Sequence, residues 1–496
     1  MKNFLIVLFQ LAVIPFLTYA QVPNNFEKEL DKLIQDGMKL WEVPGVELVV
    51  VEDGEVVYSK GFGVASIETK KPVDEHTLMV CASTTKAFTA AAMATLVDQG
   101  KLKWTDKVSD ILPDFQLSDP YITKDINIID LFTHQIGLPN SDYLWTMMEI
   151  PADSVLYRMR EVPMSYSLRN GHVYQNIMYV VAGKIIEKLS GQDWGVYLKK
   201  HIYDPLGMDE TYAYQSQTEG IVNKASAHDK VNNAVMVIPQ SRADLIGPAG
   251  SMWSNIDDMG NWLKFLLNEG VVDGDTLISK KQFKKLFEPH HIIPESSFYS
   301  SQKFTKPHWR TYGLGWFQHD YKGEMVNFHT GSLSGMHAIA GLIPDKNIGV
   351  YYMANMDNSE LRHSLMYAVF DLLLEGKVSR DWNNDIYNVY NPKDTKTKPD
   401  PKPIANSPAT FNTEQLLGEY IHKKFGSIKV FKENGSLRFN LNDKLFGTLS
   451  HWHYDTYQLE YDRKDWGTDL VTFQRGENGE LGNLLIFNEI FKLTKK

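Results

Sequence analysis

The sequence predicts an α+β fold: an antiparallel sheet flanked by helices, with a helical insertion, followed by a small C-terminal antiparallel β-barrel. Three observations predict it. Runs of β-branched residues stand at 46–60 and again between 312 and 354, with helix-spaced apolar residues between them; that order suits one sheet with helices packed on it. A lysine- and proline-rich stretch, 391–408, cannot bury a core and reads as an extended linker. Beyond about residue 410 the texture changes to about eight short alternating strands. So many strands in so short a span suggest closure, which removes exposed strand edges.

The elements follow in order. Phe26, Leu30, Leu33, Ile34 and Met38 recur at helical spacing over 25–41, and Pro44-Gly45 ends the run. Residues 46–51 and 55–60 are strand-like around Asp53-Gly54, a strong hairpin signal, and 61–67 continues as strand. An alanine-rich helix is expected over 83–99, closed by Gly100. Thr133-His134-Gln135-Ile136-Gly137-Leu138-Pro139 reads as a turn. Helices are expected over 174–189, 194–202 and 255–267, the last after the glycine-rich turn Gly247-Pro248-Ala249-Gly250. Strands follow at 312–317, 325–329, 337–343 and 349–354, then a closing helix over 359–374. In the C-terminal part, Asn434-Gly435 and Asn478-Gly479 mark hairpin turns.

Lys2, the apolar run 4–17 and the small residues of Thr18-Tyr19-Ala20 read as a secretory signal peptide cut before Gln21. The apolar run is shorter than the roughly 20 residues needed to span a bilayer. The expected organisation is therefore signal peptide 1–20, a sheet-and-helix domain 21–390, linker 391–409 and barrel 410–496. The product is expected to be exported, periplasmic or secreted, with no membrane span. A formal net charge of −10 argues against nucleic-acid binding. Cys81 is the one cysteine of the chain, so no intrachain disulfide is possible. Its expected role is a small buried apolar side chain rather than a nucleophile.

The chemistry gathers around Cys81-Ala82-Ser83-Thr84-Thr85-Lys86. A helix turns about 100° per residue, so residues three apart share a face. Ser83 and Lys86 would then present hydroxyl and amine side by side. The amine can take the serine proton only if its pKa falls from about 10.4 towards neutrality, which burial promotes. Composition alone would produce this spacing about two or three times in such a chain. A second copy, Ser300 and Lys303, lies in a polar stretch without helical periodicity and reads as chance. Tyr174-Gln175-Asn176 could complete the site: the Tyr174 phenol can exchange a proton with Lys86 or a leaving group, and the Asn176 amide can both donate and accept. His329-Thr330-Gly331-Ser332 ends a strand. Gly331 allows close approach of a ligand, and the Ser332 and Ser83 N–H groups can form an oxyanion hole.

Order and spacing of these motifs resemble the serine β-lactamase and penicillin-binding-protein superfamily, most closely its class C-like branch of esterases, D-aminopeptidases and related peptidases. Ser83–Lys86 looks like the first motif of the family, Tyr174–Asn176 the second and His329-Thr330-Gly331 the third. Leu131-Phe132-Thr133-His134, Pro205-Leu206-Gly207-Met208 and Tyr312-Gly313-Leu314-Gly315-Trp316 look like framework segments. The C-terminal part resembles the lipocalin-like barrel that some members append. The resemblance implies a serine hydrolase working through an acyl-enzyme on an ester or a short peptide, which can contain a D-residue. Ser83, Lys86 and Tyr174 would be catalytic; Asn176, His329, Gly331 and Ser332 would bind substrate. Alternatives of the same ancestry are a β-lactamase or D,D-carboxypeptidase, and a non-catalytic binding relative. The family's β-lactamases carry lysine where His329 stands, to hold a substrate carboxylate. A histidine near its ordinary 6.5 would offer that attraction only at low pH. No cofactor or metal is expected: His290-His291 and His451-x-His453 lack a third ligand at a characteristic spacing.

Overall fold

The computed structural model describes residues 23, 25–140, 142, 145, 151–392 and 402–494. The expected signal peptide and residues 393–401 of the expected linker lie outside them.

Helix α1 (Phe26–Trp41) buries Phe26, Leu30, Ile34 and Trp41 along one face. Strands β1 (Gly45–Glu52) and β2 (Glu55–Gly63) form the expected hairpin. Asp53 and Gly54 take φ of 50° and 82°, the left-handed pair that matches strand twist. The strand expected to continue to residue 67 stops at Gly63. The remaining strands of the sheet are β3 (His291–Ile292), β4 (Arg310–Tyr312), β5 (Phe317–Tyr321), β6 (Glu324–Leu333), β7 (Met336–Ile343) and β8 (Ile348–Ala354). Their order is β2-β1-β8-β7-β6-β5-β4-β3, antiparallel at every step. The chain enters at one edge, leaves for the helices and returns to fill the rest.

The central strands are buried on both faces, and a period of two sorts their side chains. Ile348, Val350, Tyr352 and Ala354 of β8 face a core shared with α1 and α5 (Leu361–Glu375). Tyr351 and Met353 face a second core shared with α2 (Thr85–Asp98), α3 (Ile177–Ser190) and α4 (Ile256–Leu267). Helix α2 is buried on every side from Thr85 to Leu96. Ala87, Ala90, Ala91, Ala92 and Ala94 let neighbouring backbones come close, and Phe88 stacks on Trp262 at 3.9 Å. A short hairpin, His228–Val231 with Ala234–Val237, was not foreseen. Its turn residues Asn232 and Asn233 both adopt left-handed φ, as asparagine tolerates.

Helix α6 (Trp382–Tyr390) returns against α5 and ends the first body. Part of the expected linker belongs to the barrel: Ile404 and Ser407 bond to His453 and Tyr454, and Ser407 is buried. The barrel closes from β9 (Gly418–His422), β10 (Gly426–Glu433), β11 (Ser436–Leu441), β12 (Leu445–His453), β13 (Thr456–Tyr461), β14 (Thr468–Arg475), β15 (Leu481–Ile486) and β16 (Glu489–Leu493). Inward side chains such as Tyr420, Val430, Phe439, Leu459, Phe473 and Phe491 pack its interior. The two bodies touch where the Arg158 guanidinium donates to the Lys424 carbonyl at 2.8 Å. Among the described residues no helix is long and apolar enough to cross a membrane.

Candidate active site

The helix expected from Ser83 starts two residues later. Ala82–Thr84 form a tighter 3-10 turn, and α2 proper begins at Thr85. Ala82 takes φ of 46°, unusual for a residue with a Cβ, and so re-aims the chain just before Ser83. The turn is pinned from several sides. Cys81 N–H donates to Met252 O at 2.8 Å, Thr84 Oγ1 donates to Cys81 O at 2.9 Å, and Thr84 Oγ1 lies 2.5 Å from Tyr351 Oη. Strand β6 lies directly against it: a Cβ on Gly331 would come 2.2 Å from Cys81 O, so glycine is required there. Cys81 is fully buried, and burial pushes its thiol up to about 12, which leaves it inert.

Lys86 is 0% exposed, and its Nζ lies 3.0 Å from Ser83 Oγ, 2.6 Å from Asn176 Oδ1 and 2.8 Å from Ala249 O. Burial lowers its pKa to about 7, against an opposing pull from the Asp142 carboxylate. The partners dictate what the neutral amine can do. It has two N–H groups and one lone pair. Asn176 Oδ1 and the Ala249 carbonyl can only accept, so they take both N–H groups. The lone pair is left facing the Ser83 hydroxyl, as a base for its proton.

This holds only while Asn176 points its oxygen at Lys86. Asn176 stands at the N-cap position of α3, yet its side chain makes no cap bond. Its Nδ2 instead donates to Asp142 Oδ2 at 2.9 Å. A carboxylate cannot donate, so Asp142 admits only the NH₂ end of the amide and prevents the reversed orientation. Asp142 is itself held by Trp145 Nε1 at 3.0 Å and Asn140 Nδ2 at 3.1 Å. Gln175, between the motif residues, ties the segment to the turn before it: its Nε2 donates to Leu138 O and Pro139 O, both at 2.5 Å.

Tyr174 is half-buried, with its ring centroid 4.9 Å from Lys86 Nζ. Burial raises its pKa well above the ordinary value, opposed by the nearby Ser83 hydroxyl. A raised phenol beside a lowered amine separates the roles. Lys86 is the group that is free to accept near pH 7, and Tyr174 stays protonated and can pass its proton to a leaving group.

His329 departs from expectation. It is 1% exposed, and burial, with Lys86 adding to it, brings its pKa down to about 3 rather than leaving it near 6.5. Its hydrogen bonds explain why it stays neutral. Gln175 N–H donates to His134 Nδ1 at 3.0 Å, so the His134 proton sits on Nε2 and is given to Tyr312 Oη at 3.1 Å. Tyr312 donates in turn to His329 Nε2 at 2.9 Å, and His329 Nδ1–H is spent on Thr330 O at 2.6 Å. Both imidazoles are locked as single neutral tautomers between two backbone groups. His329 therefore supports the site from behind and brings no positive charge to a carboxylate.

Gly331 and Ser332 end β6 beside Ser83. The buried Arg362 holds them, with Nη1 donating to Gly331 O at 2.5 Å and Ser332 Oγ at 2.8 Å. Arg362 pairs with Glu360 at 2.8 Å, and Ser332 is exposed. Ser83, Lys86, Tyr174, Asn176, Gly331 and His329 thus come to one place from three separate stretches. Sequence reasoning missed Asp142, Arg362 and the Ala249 carbonyl; it took the segments of His134 and Tyr312 only as framework.

Comparison with known proteins bears on the family and the fold. The family described as Beta-lactamase matches residues 30–373, and a domain of unknown function (DUF3471) matches residues 402–494. The unguisins hydrolase ungD of Aspergillus violaceofuscus is 27% identical over 358 residues, 67% of this chain and 61% of that protein. Protein flp of Staphylococcus aureus is 25% identical over 348 residues, 68% of this chain and 65% of its own length. The chain thus aligns with less than two thirds of either relative. The octameric penicillin-binding protein homologue from Pyrococcus abyssi superposes with a TM-score of 0.63 at 22% identity, covering 94% of this chain and 98% of that one. That likeness extends through the barrel as a likeness of fold. With the family match running from residue 30 to residue 373, through all of the site's residues, this chain belongs to the Beta-lactamase family.

Proposed function

We propose that this protein is an exported hydrolase that forms an acyl-enzyme on Ser83 with an ester or a peptide or amide, including peptides with a D-residue. Lys86 takes the serine proton, and Tyr174 hands its own proton to the leaving group as it regains one from the Lys86 ammonium. The developing oxyanion meets the N–H groups of Ser83 and Ser332. The same pair then activates water for deacylation. The observation that carries the reading is the Lys86 amine, buried, lowered to about 7 and left with its lone pair towards Ser83 Oγ at 3.0 Å. The relative named unguisins hydrolase supports hydrolysis as the reaction. Neutral His329 argues against efficient β-lactam or D,D-carboxypeptidase turnover, because those substrates present a carboxylate beside the reacting carbonyl.

A fluorophosphonate probe followed by peptide mapping tests the reading. Covalent label on Ser83, with turnover of short esters or D-aminoacyl amides, is expected. A protein that takes no label and turns over none of them is a non-catalytic relative. Export is tested by sequencing the mature N-terminus, expected at Gln21.

A further inference from the structure

A cavity of about 230 Å³ opens beside Tyr174, lined by His172, Tyr174, Ser297, Phe298, Tyr299 and Phe317. We propose that it is a substrate subsite for one uncharged aromatic or large apolar side chain next to the scissile bond. The inference rests on the serine-hydrolase reading and names a substrate class for that site.

Position is the first argument. One wall is the ring of Tyr174, whose centroid lies 4.9 Å from Lys86 Nζ, itself 3.0 Å from Ser83 Oγ, so an occupant lies close to the reacting carbonyl. Another wall is Tyr299, whose Oη lies 2.5 Å from Thr330 Oγ1, between His329 and Gly331 on β6. The cavity is therefore continuous with the catalytic strand.

The chemistry of the walls is the second argument. Phe298 and Phe317 are buried aromatic rings that line it. Two of the polar atoms nearby are engaged with protein partners. His172 Nδ1 lies 2.8 Å from His291 Nε2, and the Tyr299 hydroxyl is spent on Thr330. Burial keeps both histidines neutral, with His172 lowered to about 4 and His291 to about 3. The hydroxyl of exposed Ser297 stands at the rim. A charged group inside would lose water without finding an ion partner, whereas an apolar ring loses only hydrating water. Edge-to-face neighbours at 5.2 Å (Tyr299–Phe317) and 6.0 Å (Phe298–Phe317) show the packing that an added ring would join.

Thioesters test this without placing an aromatic leaving group where it is not wanted. In one arm the acyl group varies: S-ethyl thioesters of acetate, phenylacetate and 4-carboxyphenylacetate. In the other the leaving group varies: thioacetates of ethanethiol, benzyl mercaptan and 4-carboxybenzyl mercaptan. Rates of thiol release are divided by the hydroxide rate of each compound. The phenyl member should exceed the methyl or ethyl member in kcat/KM by roughly ten- to a hundredfold in one arm, and the carboxylate should remove that gain. The arm that responds says which side of the scissile bond the subsite serves. Ser297→Trp, on an exposed loop, should fill the rim and bring the phenyl preference down towards unity. Phe298→Ala should lower the same ratio by removing a ring wall. Labelling of Ser83 without an aromatic preference in either arm, or equal rates for phenyl and carboxyphenyl, overturns the subsite and leaves the hydrolase reading standing. So does a preference that survives both substitutions. If Ser83 takes no label, the hydrolase reading fails. Saturation-transfer NMR with N-acetylphenylalanine amide on the full-length protein then decides the cavity by itself, binding supporting it and no transfer overturning it.

Discussion

Ser-x-x-Lys occurs twice in this chain, and the two copies fold into opposite surroundings. Ser83 and Lys86 sit at the entry of a helix buried from Thr85 to Leu96; the buried amine has two acceptors, Asn176 Oδ1 and Ala249 O, and faces the half-buried Ser83 hydroxyl. Ser300 lies in the turn before a one-turn helix, Gln302–Thr305, that carries Lys303; Lys303 is exposed, and the two residues are joined by a backbone bond, Lys303 N–H to Ser300 O at 3.1 Å. Spacing is the same in both. The difference lies in desolvation and in the acceptors that consume the amine's protons. A lysine becomes a base when its ammonium form is made expensive, and only the first copy does that.

The largest effect that would break this comparison is at the serine. Ser83→Ala should lower turnover by roughly 10⁴-fold or more and abolish fluorophosphonate labelling, with the circular dichroism spectrum unchanged. Residual labelling elsewhere would move the nucleophile.

Next come the two proton-handling residues. Lys86→Met and Tyr174→Phe should each cost about 10³-fold in kcat/KM, and the double variant little more, because they act on one proton. Multiplicative losses would mean independent roles.

Asp142→Asn should cost roughly ten- to a hundredfold by letting the Asn176 amide reverse. It also removes the charge that raises Lys86, so the acid limb of the pH–rate profile should move to lower pH. In the wild type that limb should lie near 7, with activity towards a neutral ester rising as pH rises through it. The ratio of a carboxylate-bearing ester to a neutral one should stay flat from about pH 5.5 to 8, since His329 titrates near 3. A ratio that climbs at pH 5.5 would show that His329 gains charge there. A rate loss at Asp142→Asn without a shift in the limb would leave the residue a structural prop.

Stability gives an independent signal. The folded pKa of Lys86 is below its unfolded value, so between about 7 and 10.5 the unfolded chain binds more protons. Stability should therefore rise with pH across that window and be flat below it, by roughly 3–5 kcal/mol in all. Lys86→Met should abolish this slope, read from denaturant midpoints at pH 6.5 and 10. The smallest effect belongs to the second copy: Ser300→Ala and Lys303→Met should leave turnover within about twofold. A larger loss there would make spacing, not burial, the determinant.

Much of this was legible in sequence because periodicity is written locally. The alternating runs gave the sheet and the barrel, and the glycine turns placed their hairpins. Ser83, Lys86, Tyr174 and Asn176 could be singled out because each offers a side chain with chemistry at a suggestive spacing. What was not legible depends on three-dimensional partners. A carbonyl such as that of Ala249 has no residue type to betray it. Asp142 looks like any loop aspartate until Asn176 is seen to face it. The neutral state of His329 follows from Tyr312 and His134, which are distant in the chain. Asn232-Asn233 was a readable turn signal that went unread.

Ala82 has a consequence for selection. Its left-handed φ costs about 1 kcal/mol that glycine would not incur, yet Ala82→Gly would also loosen the unfolded chain by a similar amount. The two nearly cancel, so a screen for thermal tolerance would score the position as silent. A screen for turnover would not, because the methyl group restricts the turn that aims Ser83 and fills the contact with β6 beneath it. Exchange of alanine for glycine here would be filtered by catalysis alone, and a library sorted first by heat and then by rate should keep both residues at position 82 in the first round and alanine in the second.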